Sequence, residues 1–319
     1  MMLEKKVSVV MAVYNGALFL RKQLDSICNQ TYKNLDVIAL DDCSTDQSVD
    51  ILKEYHETYG IHYQVNDKNI GYRKNFEKAL TLCDGDYIAF ADQDDIWLPE
   101  KIETMVREIG NYSLIYSDAK IIDEHDHIIS DSFARYTKTG SLPKEEHQYK
   151  KAVFYWLALG CTMFFKRELL NELIPFADDG TAHDRQLSIL ATKKNKIKYI
   201  EKPLMLYRLH PHNTFGVAKG TFMREFSPRF LFPLEKEIER IRFYIETHNY
   251  PSQEDRLFLD DLLKYYQFKA KKRISFQAMR IAFRYRNIFF NDFNFYERVW
   301  LILGHVLLFD RIYRFIYKV

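Results

Sequence analysis

Residues 87–91, Tyr-Ile-Ala-Phe-Ala, form an apolar run that breaks into Asp92-Gln93-Asp94-Asp95. The run is short and follows Gly85, so it reads as a buried strand rather than a helix. Its end carries three carboxylates within four positions, and these repel one another. A cation relieves that repulsion, and oxygen-only ligands favour a hard one such as Mg²⁺ or Mn²⁺. Mg²⁺ takes one or two protein carboxylates and completes its shell with water and substrate phosphates. An Asp-x-Asp at a strand end therefore points to a metal-bound phosphate substrate. The plain alternative is a solvated acidic turn capping a helix that starts near Pro99. So short a motif does not decide between the two alone.

The flanking pattern does bear on it. Residues 7–13, Val-Ser-Val-Val-Met-Ala-Val, are β-branched and nearly all apolar, as a buried parallel strand requires. A turn at Tyr14-Asn15-Gly16 leads into a helical stripe of Leu20, Leu24, Ile27 and Cys28 within residues 18–30. A second strand, 35–40, ends in Asp41-Asp42-Cys43-Ser44-Thr45-Asp46, where Ser44 or Thr45 caps the helix 47–59. A short strand at 62–65, a turn at Asn69-Ile70-Gly71 and a helix over 74–83 complete the approach to the central strand. This alternation predicts an α/β fold, a mostly parallel sheet with helices on both faces. Such sheets bind ligands outside the carboxyl ends of their strands. Tyr14-Asn15, Asp41-Asp42 and Asp92-Gln93-Asp94 all fall at those ends. Their convergence on one rim favours a binding site over three unrelated turns.

Charge and cysteine usage narrow the class. The 319 residues carry 46 basic and 44 acidic side chains, a formal charge of +2, which gives no global case for nucleic acid. Cys28, Cys43, Cys83 and Cys161 lack metal-ligand spacing and read as reduced thiols. Residues 1–6 have no apolar signal core, and no stretch reaches the ~18 apolar residues needed to span a bilayer. These features predict a cytoplasmic chain.

The Ala-Val-Tyr-Asn start, the Asp-Asp-Cys-Ser-Thr-Asp turn, the Asn-x-Gly segment before Asn75, and Ala-Asp-Gln-Asp-Asp-Ile-Trp together resemble family 2 glycosyltransferases of the GT-A fold. Within that family, Phe-Ala-Asp-Gln-Asp-Asp-Ile-Trp-Leu-Pro-Glu-Lys-Ile is similar to bacterial rhamnosyltransferases that build cell-surface polysaccharides. The resemblance covers residues 7 to about 215. It implies that Ala12, Val13 and Tyr14 line a nucleobase pocket, although the family often has proline where Ala12 stands. It implies that Asp42, with Asp41, accepts from the base N3–H or the ribose hydroxyls; helix capping through Ser44 is the alternative. It puts Lys74 near the base or diphosphate, where plain surface solvation competes as an explanation. Asp92 would contact ribose and metal, Asp94 would hold the metal against the diphosphate, and Asp95 would stand behind them. The implied donor is a dTDP- or UDP-sugar.

The next stretch bears on the acceptor. Residues 114–117 read as a strand, and 121–131 as a hairpin whose tip carries His125 and His127; a solvated tip explains these better than a metal site. Residues 132–150 are polar, with Gly140 and Pro143, and predict a mobile loop over the acceptor. Residues 159–165 match the family's Gly-x-Thr-Met-x-Phe strand beside the donor sugar. Asp184 stands where the family keeps its catalytic base, at the start of a helix over 185–191 whose dipole stabilises a carboxylate; Arg185-Gln186 depart from the aromatic residues often found next. After a strand at 197–200, His210 in Tyr-Arg-Leu-His fits the family's metal or diphosphate ligand, with His212 as second choice. One base without a covalent nucleophile implies inversion. A nucleotidyltransferase would normally show a Gly-rich basic loop after the first strand, and Tyr14-Asn15-Gly16 offers none.

Residues 220–319 differ in character and are expected to form a helical C-terminal extension of the catalytic domain 1–219. From 262 to 291 there are eight basic residues and no acid, interleaved with aromatics. Such a segment suits the surface of an anionic bilayer, so the chain is expected to sit on the inner face of the cell membrane. Residues 299–309, apolar apart from Gly304 and His305, are too few to span. Packing on the catalytic domain, or on a second copy in a homodimer, is the competing reading.

Overall fold

The computed structural model describes residues 5–137, 145–154, 157–177, 181–194, 197–211, 213, 234–270 and 275–289. His212, residues 299–309 and the expected domain boundary near 220 lie outside the described residues. The described chain divides into two compact units. One comprises residues within Met1–Ala134, Leu157–Ala177 and Thr181–Gly216; the other comprises residues within Arg135–Trp156, Asp178–Gly180 and Val217–Val319.

The first unit is an α/β sheet. Its strands are β1 (Val7–Val13), β2 (Leu35–Asp41), β3 (His62–Val65), β4 (Tyr87–Asp92), β5 (Ile96–Trp97), β6 (Leu114–Ile122), β7 (Ile128–Ser130), β8 (Met163–Lys166) and β9 (Ile197–Arg208). They lie in the order β3-β2-β1-β4-β8-β6-β9-β5, with β7 paired to β6. The first four neighbours are parallel, and so are β6 and β9. β8 runs antiparallel between β4 and β6. Helices α1 (Ala17–Cys28), α2 (Ser48–Tyr59) and α3 (Tyr72–Leu80) make the crossovers, and α4 (Lys101–Ile109) follows β5. Val7, Val9, Val10 and Met11 of β1 are buried, which is why this strand has no alternation: both sheet faces are covered. α1 buries Phe19, Leu20, Leu24 and Ile27 along one face, the spacing of an amphipathic helix.

Gly85 shows how tightly β4 enters. A Cβ there would lie 2.6 Å from the Ser8 backbone nitrogen, so any side chain would push β4 away from β1. The parallel register then sets Ala12 beside Asp92 and Val13 beside Asp41. The three acidic or aromatic strand ends seen in the sequence therefore share one rim.

The stretch expected to be a polar loop over 132–150 differs. Its described parts are helices, α5 (Phe133–Thr137) and α6 (Glu145–Phe154). Tyr149, Ala152 and Val153 of α6 are buried, an i, i+3, i+4 stripe that local polarity concealed. The strand expected over 159–165 begins as a 3₁₀ turn, Gly160–Thr162, before β8. α7 (Leu170–Leu173) and α8 (His183–Lys193) complete the first unit.

The second unit is helical. α9 (Leu234–Glu246) and α10 (Gln253–Ala270) are followed by α11 (Phe276–Arg284) and α12 (Arg286–Phe289). Ile241, Tyr244, Phe258, Leu259, Leu262, Tyr265 and Phe289 form its core. Phe154 of α6 stacks on Phe289 with ring centroids 3.9 Å apart. Arg240 is buried in this core against Glu237 and donates to the Val153 carbonyl at 3.0 Å. Among the described residues, no helix is long and apolar enough to cross a membrane.

Candidate active site

The rim is tied together by loops that exchange hydrogen bonds. Gln93, inside the acidic run, accepts from the Tyr14 backbone N–H at 2.9 Å and donates to the Tyr14 carbonyl at 3.1 Å. Gly16 lets that side chain in: a Cβ there would sit 2.2 Å from Gln93 Oε1. Asn15 accepts from the Thr45 N–H, and the Asn15 and Gly16 N–H groups donate to Ser44 and Ser48. The ends of β1, β2 and β4 are thereby fixed relative to one another. Tyr14 itself remains 48% exposed, so its ring is open to a ligand, while Val13 is buried and Ala12 half-buried.

The two acidic clusters are in opposite states. Asp41 is buried and accepts from Ser44 through both oxygens, from the N–H at 2.8 Å and the hydroxyl at 2.5 Å. Asp42, also buried, accepts from the Asn66 amide and the Ile70 N–H, both at 2.9 Å, and from the Gly71 N–H at 2.8 Å. Asp42 thus fixes the turn that starts α3, on which Lys74 is exposed. Each Asp41 and Asp42 oxygen has a donor from the chain.

The β4 end is not satisfied in this way. Burial and the neighbouring Asp94 carboxylate push the Asp92 carboxyl up to about 7. Asp95 is pushed well above the carboxylate range by burial, Asp94 and Asp92. Its Oδ1 accepts from the Arg208 N–H at 3.0 Å. Its Oδ2 is buried without a nitrogen or oxygen partner among the described residues. Ligand atoms of Asp92, Asp95 and Cys161 lie within 4.8 Å of one another. Burial and these carboxylates hold the Cys161 thiol protonated. Beneath them Lys101 is buried, donating to the Cys161 carbonyl at 2.6 Å, with its ammonium 3.9 Å from the Trp97 ring centroid. Burial lowers its pKa to about 8.

β9 brings the remaining groups. β5 pairs antiparallel with it, Ile96 opposite Leu206, which carries the residues before Ile96 toward those after Leu206. Arg208 Nε donates to the Asp94 carbonyl at 2.8 Å, and Nη1 donates to the Asp123 carbonyl at 3.0 Å and to the Asp126 carboxylate. Its guanidinium lies 4.5 Å from the Phe19 ring centroid. His210 Nε2 stands 2.7 Å from Asp94 Oδ2, and its ring packs on Phe19 at 5.0 Å. The hairpin tip is a local turn: Asp123 accepts from the His125 and His127 N–H groups and from His127 Nδ1.

Asp184 lies in the first turn of α8. Its Oδ1 accepts from the Arg185 N–H at 2.7 Å and its Oδ2 from the Gly160 N–H at 3.2 Å. Its charge is near enough to help raise Asp92. His183 packs between Phe76 and Phe90 at 4.3 and 4.8 Å. Neither of its ring nitrogens has a hydrogen-bond partner among the described residues, and burial lowers its pKa to about 3.

The structure therefore gathers Tyr14, Asp92, Asp94 and His210 at one rim, places Asp184 close to Asp92 but buried with both oxygens accepting chain N–H groups, and turns Asp41 and Asp42 inward. The sequence reading passed over Gln93, Lys101, Cys161 and Arg208. Arg208 was signalled only by its place two residues before His210 and Gln93 by lying inside the acidic run; Lys101 and Cys161 are brought to that run only in space. The donor set fits a divalent cation. Asp92 and Asp95 are crowded and raised, one buried Asp95 oxygen lacks a nitrogen or oxygen donor among the described residues, and oxygen ligands with one imidazole suit Mg²⁺ or Mn²⁺ better than a soft metal.

A curled, mostly parallel sheet with a polar rim at its strand ends is the GT-A arrangement. Residues 8–174 match Glycosyl transferase family 2, and the chain belongs to that family. It is 33% identical over 225 residues to the dTDP-rhamnosyl transferase RfbG of Shigella flexneri, covering 65% of this chain and 73% of that one. It is 24% identical over 310 residues to the glycosyltransferase GlyA of Streptococcus pneumoniae, covering 88% of this chain but spanning 42% of GlyA. The fold matches the Staphylococcus aureus TarS 1–349 crystal structure in complex with UDP-GlcNAc, with a TM-score of 0.58 at 17% identity, over 89% of this chain and 81% of that one.

Proposed function

We propose that this chain transfers a sugar, with inversion, from a nucleoside-diphosphate donor to a hydroxyl of a growing cell-surface glycan or lipid-linked acceptor. One observation carries the reading: crowded Asp92, Asp94 and Asp95 at the end of β4, with His210 2.7 Å from Asp94. Such a cluster suits a diphosphate bound through a dication. The Tyr14 ring and the backbone of Ala12 and Val13 offer a face for the base. Lys74 is the exposed cation for the diphosphate edge, and Asp42 contributes by fixing the turn before α3.

Asp92, Asp94 and His210 would hold Mg²⁺ or Mn²⁺, with Asp95 behind them. When bound, the cation neutralises charge on the departing diphosphate. Asp184 takes the proton of the acceptor hydroxyl. That oxygen bonds to the anomeric carbon as the bond to the diphosphate oxygen breaks, and the electron pair leaves with the nucleoside diphosphate. The transition state has the oxocarbenium character of glycosyl transfer.

The donor we favour is dTDP-L-rhamnose, supported by the likeness to RfbG; a UDP-hexose is the second reading, supported by the fold shared with a UDP-GlcNAc-binding protein. Thymine differs from uracil by one methyl, worth only ~1–3 kcal/mol in an apolar pocket. Calorimetric titration with dTDP and UDP, each with and without Mn²⁺, ranks the two. Asp184→Asn tests the base: transfer should fall by about 10²–10⁴-fold while nucleotide affinity stays near wild type. Undiminished transfer would remove Asp184 from the chemistry.

A further inference from the structure

The second unit sorts the aromatic residues described within 262–289 into two groups. Tyr265, Tyr266 and Phe289 are buried in its helical core, and Tyr285 donates to Asp261 at 3.0 Å. Their ring faces are taken up by packing. Phe276 and Phe283 of α11 are not: they are 76% and 57% exposed. α11 buries Ala278, Ile281 and Ala282 on one side. On the other, residues 276, 280, 283 and 284 recur at i, i+4, i+7 and i+8, so Phe276, Arg280, Phe283 and Arg284 share a face. All four are exposed. The Arg286 guanidinium lies 4.5 Å from the Phe283 ring centroid. Arg284 is paired to Asp261 at 3.0 Å, an acid that precedes the acid-free stretch. The helix itself and the residues on both sides of it, 262 to 291, contain no carboxylate.

Two solvent-facing phenylalanines with guanidiniums between and beside them make a narrow apolar stripe with a cationic border. We infer that this face of α11 docks on an anionic lipid surface, the rings entering the headgroup boundary and Arg280 and Arg286 meeting lipid phosphates. The charge complementarity decides the occupant. Arg284 is met by Asp261, but Arg280 and Arg286 border the rings without an ion pair among the described residues; these cations are favoured against an anionic leaflet, and an uncharged apolar partner would leave them uncompensated. The inference does not depend on the transferase reading, since none of these side chains belongs to the rim of the first unit.

The test is co-sedimentation of the full chain with vesicles of phosphatidylcholine alone and of phosphatidylcholine with phosphatidylglycerol. Binding to the anionic vesicles should exceed binding to the neutral ones by at least about tenfold at low salt, and fall as salt screens the headgroups. Phe276→Ser with Phe283→Ser should weaken that binding about tenfold or more. Arg280→Glu should weaken it and reduce its salt dependence. All three side chains are exposed, so circular dichroism and melting temperature should stay at wild-type values. Equal binding to both vesicle types, or wild-type binding by the double variant, overturns the inference. So does sedimentation velocity showing that the double variant turns a wild-type dimer into a monomer with vesicle binding unchanged, which would make this face a contact between copies.

Discussion

The strand ends on either side of β1 carry two acidic clusters that the structure treats in opposite ways. At the end of β2, every Asp41 and Asp42 oxygen accepts a hydrogen bond from Ser44, Asn66, Ile70 or Gly71. At the end of β4, Asp92 and Asp95 are raised by burial and mutual repulsion, and one Asp95 oxygen has no nitrogen or oxygen donor. Both clusters look alike as text: Asp41-Asp42 and Asp94-Asp95 each follow a strand. The difference teaches where to look for a ligand. At the end of β2 the carboxylates are met by the chain's own N–H groups and build a loop, whereas those left in conflict at the end of β4 cost stability unless something binds.

The largest expected effect breaks the β4 cluster. Asp94→Asn removes a charge facing His210, and transfer should fall about 10²–10³-fold, the scale of losing one electrostatic contact to the reacting group. The melting temperature should hold or rise, because repulsion with Asp92 and Asp95 is relieved. A large drop in melting temperature would mean that Asp94, like Asp42, serves the fold.

The matched change at β2 should do the reverse. Asp42→Asn puts an amide N–H₂ where an oxygen now accepts from the Gly71 N–H, so donor meets donor in a buried place. Unfolding free energy should fall by ~1–3 kcal/mol, read from denaturant melts. An unchanged stability with lost nucleotide affinity would place Asp42 among the ligand-binding groups instead.

The smallest effect at neutral pH sharpens the comparison with a second buried group that lacks partners. His183 is neutral in the fold because burial holds its pKa near 3; Arg73 adds to the lowering, and Asp184 is the adjacent acid. An unfolded histidine titrates near ~6.5. Between about pH 6.5 and 3 the unfolded chain therefore binds the proton and the folded chain does not. Stability is retained above that window and lost as pH falls through it, at up to ~1.4 kcal/mol per pH unit. His183→Phe should flatten this acid limb and leave stability near pH 8 close to wild type. An identical limb in the variant would assign the acid loss to other groups.

Much of the first unit was legible in the sequence. The unbroken β-branched runs, the helical stripes between them and the turn residues after each strand report local properties, burial on both faces and periodicity, which neighbours in sequence determine. That is why the β-α alternation and the rim at the strand ends could be read directly. The residues 145–154 could not, because the stripe Tyr149, Ala152 and Val153 becomes meaningful only against helices about a hundred positions later. The same holds within the site. Sequence by itself put Asp92 and Asp94 at a strand end and Asp184 at a helix start; His210 came from the family motif after a strand expected at 197–200, and that strand runs to Arg208. Only the tertiary structure decided that β5 folds back along β9 to set His210 against Asp94. Only it decided that Arg208 joins the acidic loop to the hairpin. It also assigned the hydrogen bonds that separate Asp42 from Asp95. Hydrogen-bond satisfaction depends on which groups arrive from distant strands, and spacing along the chain does not encode it.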